Sequence, residues 1–410
     1  MLSGIRHPVF VLSLVVITLS QPLRGQQRAT LDANVQTLVS RLELPRYKAT
    51  IEALSRFGDR RQGTRRNRDA VDWIEAQLRS YGCSAVERLT YQYTTPPPSP
   101  TTAAATGSQS AGTGGPGLFK GAGPGGSTIF GRGRRPTVNR DLMAQPDGGI
   151  RALNEEQPAD GERQEVYCTK VGTTRPDETY IVGAHMDGHG VNQASNDDGS
   201  GTALVMELAR VFSAPDVRTD RSIRFVLWNN EETGLNGAEA YVKQRAPLQG
   251  IESPPGSGRY PEPRWLAMIQ HDMMLFDHGA PGPDGRVSPK QRREADVNIE
   301  FQANSKMAKE ALALAYVFKA ANETYATNYP AAVGPHMSNT DSDPFMDLVP
   351  AISLREAERG SEIGGGWDPH GHTPSDVFTT YDDDDFRLGL NAAQTTLSAI
   401  AQFVGAKVSR

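Results

Sequence analysis

The chain has 410 residues, a formal net charge of −5 and 37% hydrophobic residues. This length can bury a substantial core in one large domain or two ordinary ones. The weakly acidic balance lacks the surplus of Lys and Arg that nucleic-acid binding needs, so we expect no nucleic-acid partner. It is compatible with carboxylates gathered around bound cations, and equally with an ordinary acidic surface.

The N-terminal segment has the pattern of an export signal. Arg6 precedes an apolar run from Val9 to Leu19, and small and polar residues follow to about Gly25. An apolar run of roughly 11 residues is too short for a bilayer core, which needs roughly 20. We therefore expect residues 1–25 to be a cleaved signal peptide and residues 26–410 to form one exported domain, periplasmic or secreted, without membrane contact. A retained N-terminal anchor is the alternative.

The only two cysteines, Cys83 and Cys168, lie near the start of one predicted strand and near the end of another. Disulfides persist in the compartments that exported proteins reach, and antiparallel pairing of these strands would bring the two thiols together. Two small buried apolar side chains would produce the same pattern. The sequence leaves the disulfide open.

The N-terminal region is predicted to be a helical scaffold. A helical pattern covers residues 31–57 and continues where Val71, Ile74 and Leu78 share one face. After a predicted strand, residues 94–160 turn to segments such as TPPPSP and GTGGPG, which lack apolar periodicity and cannot bury a core. We predict that they form a disordered insertion within the domain, with a lid over the active site as the alternative.

From residue 164 onwards, predicted strands alternate with predicted helices. The runs YIVGAH, IRFVLW and LAMIQH are typical of buried strands, and GTALVMELARVF and ALALAYVFKAA are typical of helices. This alternation predicts an α/β fold, a three-layer sandwich with a central mixed, mainly parallel sheet flanked by helices.

Polar residues with metal-binding or catalytic chemistry recur where the predicted strands end. In open α/β sheets, ligands bind at the carboxyl ends of the strands. Seven residues lie at such ends or in loops that reach the same edge: His185, Asp187, Asp197, Glu231, Glu232, Asp272 and His372.

These residues suit a pair of metal ions. Two divalent ions about 3.5 to 4 Å apart need a carboxylate between them and imidazole or carboxylate ligands outside. Nitrogen and oxygen ligands together favour Zn²⁺. We assign Asp197 as the bridge, with His185 and Asp272 on one ion and Glu232 and His372 on the other. Each ion would then have three protein ligands and a place for water, as in catalytic zinc sites.

Glu231 is predicted to be the general base, which takes a proton from a metal-bridged water and passes it to the leaving amine. Asp187 follows His185 by two residues and is predicted to accept the N–H of that imidazole. Asp376 follows His372 by four residues and is predicted to accept the N–H of that imidazole. Each motif alone is common at protein surfaces, and the prediction depends on their combination in this order at strand ends.

The other histidines are interpreted as structural. His271 and His370 are kept as alternative ligands because they lie close to predicted ones. No role is predicted for His7, His189, His278 and His336. The acidic run 382–385 is interpreted as the start of a helix, where carboxylates complement the helix dipole.

These segments together resemble the zinc peptidases of the M28 type, which include co-catalytic aminopeptidases and glutamate carboxypeptidases. The matching motifs are HMD at His185, NDDGSG at Asn196, NNEETGLNGAE around Glu231, QHDMM around Asp272, SDPF at Ser342 and HTPSD at His372. The resemblance implies the ligands and base assigned above, two zinc ions, and hydrolysis of a peptide bond next to a chain terminus. A peptide or a protein terminus is the expected substrate.

Several functions remain to be separated. An aminopeptidase is favoured over a carboxypeptidase, although Arg355 would suit a substrate carboxylate as Glu356 would suit an amine. Glutaminyl-peptide cyclase chemistry uses one working zinc and is disfavoured because all five ligands are present. A non-catalytic binding module is disfavoured because Glu231 is retained, and a serine hydrolase because no G-x-S-x-G motif occurs. The side-chain preference and the oligomeric state stay open.

Overall fold

The computed structural model describes residues 31–96, 138–278, 286, 288–292, 295–335, 340–356 and 368–409. The described residues from Asp32 onwards cluster as one unit. The predicted signal peptide, residues 97–137 of the predicted insertion, His7 and His336 lie outside the described residues. Among the helices in the described ranges, none combines the length and the apolar character that a membrane span requires.

The described helices and strands follow the predicted alternation. The helices are α1 (Ala33–Val39), α2 (Leu44–Ser55), α3 (Arg65–Ser80), α4 (Gly148–Leu153), α5 (Gly199–Ser213), α6 (Asn236–Arg245), α7 (Ala308–Tyr325) and α8 (Asp383–Phe403). The strands are β1 (Ala85–Tyr93), β2 (Gly161–Lys170), β3 (Arg175–His185), β4 (Val217–Arg218), β5 (Arg221–Trp228), β6 (Arg264–His271), β7 (Val297–Phe301), β8 (Ala331–Gly334), β9 (Ala351–Arg355) and β10 (Lys407–Val408). Short 3₁₀ turns occur at Leu142–Ala144, Ala246–Leu248, Asp343–Phe345 and Phe378–Thr380.

Eight of these strands form one mixed sheet in the order β1-β2-β5-β3-β6-β9-β7-β8. Strand β3 pairs in parallel with β5 and β6, and β6 pairs in parallel with β9. The pair β7 and β8 is also parallel, whereas β1–β2, β2–β5 and β7–β9 are antiparallel. The parallel strands at the centre therefore end together at one edge.

The sheet separates two apolar cores. On strand β5, Phe225 and Leu227 point into the larger core, which α1, α2, α3, α5, α7 and α8 cover. The alternate residues Val226 and Trp228 point to the other face, where Tyr241 of α6 packs. Because successive side chains of a strand face opposite sides, a strand that is apolar throughout must be covered on both faces. The predicted three-layer α/β fold is confirmed.

The acidic run 382–385 forms the start of α8, as predicted. The Asp382 side chain accepts hydrogen bonds from the backbone N–H groups of Asp384 and Asp385, and the Asp385 carboxylate accepts one from the Asp382 N–H. This reciprocal cap satisfies backbone groups that the first turn of a helix leaves without partners.

Cys83 and Cys168 form a disulfide with a Cα–Cα distance of 6.1 Å. Strand β2 is antiparallel to β1, and Cys168 lies opposite Val86, close to where Cys83 precedes β1. Of the two alternatives that the sequence left open, the structure contains the disulfide.

The predicted disorder of residues 94–160 does not hold for residues 138–160. Gln145 is 1% exposed, and its amide donates to the carbonyl oxygens of Val191 (2.9 Å) and Pro374 (2.8 Å). The Asn154 amide donates to the Asn192 carbonyl at 2.8 Å. Buried amide side chains hold this segment against loops of the candidate site. Because these side chains are polar, the segment shows no hydrophobic periodicity in the sequence.

Candidate metal centre

The central parallel strands bring the predicted residues to one edge. Strand β3 ends at His185, and Asp272 follows β6 directly. Glu231 and Glu232 follow β5 after a short turn. Asp197 precedes α5, and His372 lies in the loop before the turn Phe378–Thr380. The loops carry both remaining ligands to the ends of the strands.

Asp197 lies between the two groups of predicted ligands. Its Oδ1 is 3.4 Å from His185 Nε2, and its Oδ2 is 3.0 Å from His372 Nε2. On one side, His185 Nε2 is 3.8 Å from Asp272 Oδ1. On the other side, His372 Nε2 is 3.0 Å from Glu232 Oε2. The predicted bridging position of Asp197 agrees with this geometry.

The donor atoms suit zinc in both chemistry and spacing. Donors placed tetrahedrally at zinc bond lengths of roughly 2.0 to 2.1 Å stand roughly 3.3 Å apart, close to the distances around Asp197. Two groups of side chains could each hold an ion: His185, Glu231 and Asp272 in one, and His189, Glu232 and His372 in the other. Imidazole and carboxylate ligands are the set that zinc uses in catalytic sites.

Asp376 has a different contact from the predicted one. Its carboxylate accepts the backbone N–H of Asn196 at 2.8 Å and that of Asp197 at 3.2 Å, and it accepts the Tyr381 hydroxyl at 3.0 Å. These groups occupy both carboxylate oxygens, so Asp376 holds the bridging aspartate through its backbone. The structure therefore differs from the prediction that the Asp376 carboxylate accepts the N–H of His372.

Asp198 connects the ends of β3 and β6, a role that was not predicted. Its carboxylate accepts N–H groups from His185 (3.2 Å), Gly201 (2.8 Å) and Met273 (3.2 Å). The bond to Gly201 also caps α5. A helix-start signal is visible in the sequence, where Asp-Asp-Gly-Ser-Gly precedes an apolar helical run, but the two bonds to strand ends leave no local signal.

Asp187 orders both His185 and Glu231. The Nδ1 atom of His185 lies 2.9 Å from the main-chain carbonyl oxygen of Asp187, so the acceptor is the backbone and not the predicted carboxylate. The carboxylate instead accepts the Glu231 N–H at 3.0 Å. A fixed Nδ1–H directs the lone pair of Nε2 towards the metal position.

The two neighbouring glutamates have opposite electrostatic environments. Burial raises the pKa of Glu231 well above its usual range, against the opposing effect of His185. Burial acts in the same direction on Glu232, but His189 and His372 outweigh it and lower the pKa of Glu232 to about 2. A carboxylate with a raised pKa suits proton transfer, and one with a lowered pKa suits a permanent ligand.

Arg355 and Glu356 both point into the protein. Arg355 is 1% exposed and its Nη2 is 2.5 Å from Asp272 Oδ2. Glu356 accepts the Asn196 amide at 2.8 Å and the Leu275 N–H at 3.0 Å. Neither side chain faces a substrate terminus; Arg355 orients a predicted metal ligand instead.

The two histidines kept as alternatives are not part of either donor group. His271 Nε2 lies 2.8 Å from Thr396 Oγ1, and burial lowers the pKa of this histidine to about 4. His370 Nδ1 lies 2.8 Å from Ser375 Oγ. His189, for which no role was predicted, lies in the second group. Its position just after the strand end that supplies His185 could have suggested this.

The fold and the site together are those of an α/β protein with a candidate site for two metal ions at the carboxyl ends of its strands. The profile of peptidase family M28 matches residues 165–395, more than half of the chain. The chain therefore belongs to peptidase family M28. The co-catalytic centre of this family contains two zinc ions, and the two donor groups could supply the ligands of such a pair.

Relatives match this chain over short segments. Aminopeptidase YwaD of Bacillus subtilis is 42% identical over 67 residues, 16% of this chain and 14% of that protein. Carboxypeptidase Q of Xenopus laevis is 36% identical over 73 residues, 18% of this chain and 16% of that protein. The matches thus span less than a fifth of either relative. The solved structure of an aminopeptidase from Aneurinibacillus sp. strain AM-1 has the same fold, with a TM-score of 0.55, 19% identity and coverage of 92% of this chain and 97% of that one.

Proposed function

We propose that this protein is a di-zinc aminopeptidase that removes residues from the free amino end of peptides. The observation that carries the proposal is the convergence of Asp197 on both donor groups, with Glu231 Oε2 4.0 Å from His185 Nε2. A shared carboxylate beside a glutamate with a raised pKa suits hydrolysis of a peptide bond by a water between two metal ions.

The chain's own residues would divide the chemistry. The zinc pair, when bound, would act as a Lewis acid and lower the pKa of a water, so that the water loses a proton and attacks a carbonyl near neutral pH. Glu231 takes the proton of the attacking water and delivers it to the leaving nitrogen. The Asp187 carboxylate holds the backbone of Glu231, and Arg355 holds Asp272. These contacts fix the base and a ligand before substrate arrives.

The case for a free amine rests on Arg355 and not on the charge of the acidic cluster. The carboxylates of Glu231, Glu232, Asp197 and Asp272 gather at this edge, but two bound Zn²⁺ ions would balance their charge. Arg355, the residue that would have favoured a substrate carboxylate, is occupied by Asp272 and buried.

A carboxypeptidase is the second candidate, favoured by a different observation. Arg61 and Arg140 line a pocket that His189 also lines, and neither guanidinium has a hydrogen bond or ion pair with another residue of the described ranges. Burial lowers the pKa of Arg61, against the opposing effect of Asp59, and the neighbouring Arg140 also lowers it. A guanidinium that has no partner among the described residues and lines the same pocket as His189 suits a carboxylate, either a C-terminus or an acidic side chain.

Hydrolysis of matched peptides separates the two candidates. We would compare dipeptides and tripeptides with a free amine, with a blocked amine and with a blocked carboxyl end, using wild type, E231Q and the surface control E310Q. An aminopeptidase cleaves peptides only when the amine is free, and E231Q lowers kcat roughly 10²- to 10⁴-fold while both zinc ions are retained. Cleavage of amine-blocked peptides that requires a free carboxyl end would replace the proposal with the carboxypeptidase. Full activity of E231Q would contradict both.

We also propose that the protein is exported. The support is the disulfide between Cys83 and Cys168, because such bonds persist in oxidising compartments. The mass of the protein recovered from periplasmic and culture fractions of the producing cells tests this. Recovery of uncleaved protein in the cytoplasm alone would contradict it.

A further inference from the structure

His189 is a buried imidazole directed at the metal centre. It lies in the loop after β3 and is 8% exposed. Its Nε2 is 3.1 Å from Glu232 Oε2, nearly the same distance as that from His372 Nε2 to the same oxygen. The rings of His189 and His372 meet edge to face, with centroids 4.6 Å apart and planes at 88°. Two imidazole nitrogens thus converge on one carboxylate.

The convergence does not have the geometry of a hydrogen-bond network. His189 Nε2 and Glu232 Oε1 have no hydrogen-bond partner within the described part of the chain, although both atoms are buried. Leaving a buried polar atom without a hydrogen bond costs about 1–3 kcal/mol, and the 3.1 Å approach to Glu232 Oε2 brings His189 Nε2 within ion-pair distance without hydrogen-bond geometry. A cation at the centre of the group satisfies both.

The backbone holds His189 in this place. The Asn192 amide donates to the His189 carbonyl at 3.0 Å and to the Thr373 carbonyl at 2.8 Å, which ties the loop after β3 to the loop of His372. Gly190 has φ +113°, and a Cβ there would lie 2.5 Å from the carbonyl carbon of His372. Only glycine allows the two loops this close approach.

We propose that His189 is a fourth protein ligand of the second metal position, together with His372, Glu232 and the shared Asp197. The proposal rests on the two-zinc function above. It makes the centre asymmetric: one position has two imidazoles and two carboxylates, and the other has the single imidazole of His185. A position with four protein ligands would hold its ion more tightly than a position with three.

A cysteine at position 189 tests direct contact with the metal. In the full-length protein loaded with Co²⁺, H189C should show the near-ultraviolet charge-transfer band of a cobalt–thiolate bond, because that band requires sulfur bonded to the metal. H370C is the matched control, since His370 contacts Ser375 and belongs to neither donor group. Absence of the band in H189C that is folded and binds two Co²⁺ ions overturns the proposal.

Metal affinity gives an independent measurement. Competition with a chelator should resolve two Zn²⁺ binding steps in wild type and in H370Q. In H189A and H189Q, one step should weaken by at least roughly 10- to 100-fold, the loss typical of removing even an indirect partner of a metal ligand, while the other step stays unchanged. Two unchanged steps in both variants overturn the proposal. A wild type that binds fewer than two ions contradicts the proposed two-zinc function, which is a different outcome.

Discussion

At the scale of single residues, Arg355 balances the charge of a metal ligand inside the protein. It is 1% exposed, its Nη2 is 2.5 Å from Asp272 Oδ2, and its Nε is 3.8 Å from Glu300 Oε2. Asp272 has one carboxylate oxygen towards His185 and the other towards the guanidinium. The arginine therefore sets the orientation of the ligand.

We expect R355M to destabilise the metal-free protein by about 3–5 kcal/mol, because it leaves Asp272 as a buried charge without its partner. Zinc binding should weaken roughly 10- to 100-fold as the ligand loses its orientation. Urea unfolding and chelator competition measure the two effects. In the control R387M, the exposed pair of Arg387 and Asp384 is lost at a cost of about 0–1 kcal/mol. Equal stability of the two variants would contradict the role of Arg355.

Glu165 is a buried carboxyl group, and the free energy that its burial costs the folded state depends on pH. Neither of its oxygens has a hydrogen bond with a residue of the described segments, and burial raises its pKa well above the usual range. Below the pKa of the unfolded chain the group is neutral in both states. As pH rises above that value, the unfolded state ionises first, so folding loses stability until the pKa of the folded state is passed.

We expect E165Q to be more stable than wild type at pH 8, by about 1–3 kcal/mol, because glutamine has no carboxyl group whose ionisation stabilises the unfolded chain. The advantage should shrink towards pH 4.5. Thermal unfolding at several pH values measures it, and E310Q on the surface should show no such trend. A difference between E165Q and wild type that is independent of pH would contradict the raised pKa.

At the scale of elements, the disulfide joins the chain before β1 to β2 across 85 residues, a span that includes the low-complexity insertion. Because the bond closes a long loop in the unfolded chain, we expect the double variant C83A/C168A to lose about 2–4 kcal/mol of unfolding free energy. Urea titration with and without reductant measures the loss. Reductant should lower the stability of wild type and leave the double variant unchanged; an equal effect on both would exclude the disulfide as the cause.

The helices and strands that the sequence analysis did not predict are those with weak local sequence patterns. Helix α6 begins after Leu235, which has φ +61° and supplies no side-chain cap. Strands β7 and β8 are short and contain polar or small residues, yet they pair with each other in parallel, and β7 also pairs with β9. Pairing with neighbours, and not local propensity, makes them strands.

At the scale of the whole molecule, metal binding should contribute to stability. Four carboxylates, those of Asp197, Glu231, Glu232 and Asp272, lie together and repel one another when no cation is present. A metal ion whose free concentration is 100 times its Kd adds about 2.7 kcal/mol to the stability of the folded state. We expect a chelator to lower Tm and two equivalents of Zn²⁺ to restore it, as calorimetry would measure. D197N, which loses the shared ligand, should gain much less from zinc; an unchanged Tm after metal removal from wild type would contradict the centre.

Much of the centre was predictable because its residues mark the ends of strong apolar strands. Parallel strands share one edge, so His185, Glu232 and Asp272 had to meet once the α/β pattern was recognised. The same logic identified Glu231 beside them.

The sequence by itself determined the α/β architecture and predicted the candidate donors other than His189, since apolar periodicity and residue chemistry are local properties. Only the tertiary structure decided that Asp376 holds the backbone of Asp197, that Arg355 faces Asp272, and that His189 joins His372 at Glu232. These contacts join loops more than forty residues apart in the chain. Their distances depend on how the loops pack against each other, which no local pattern records.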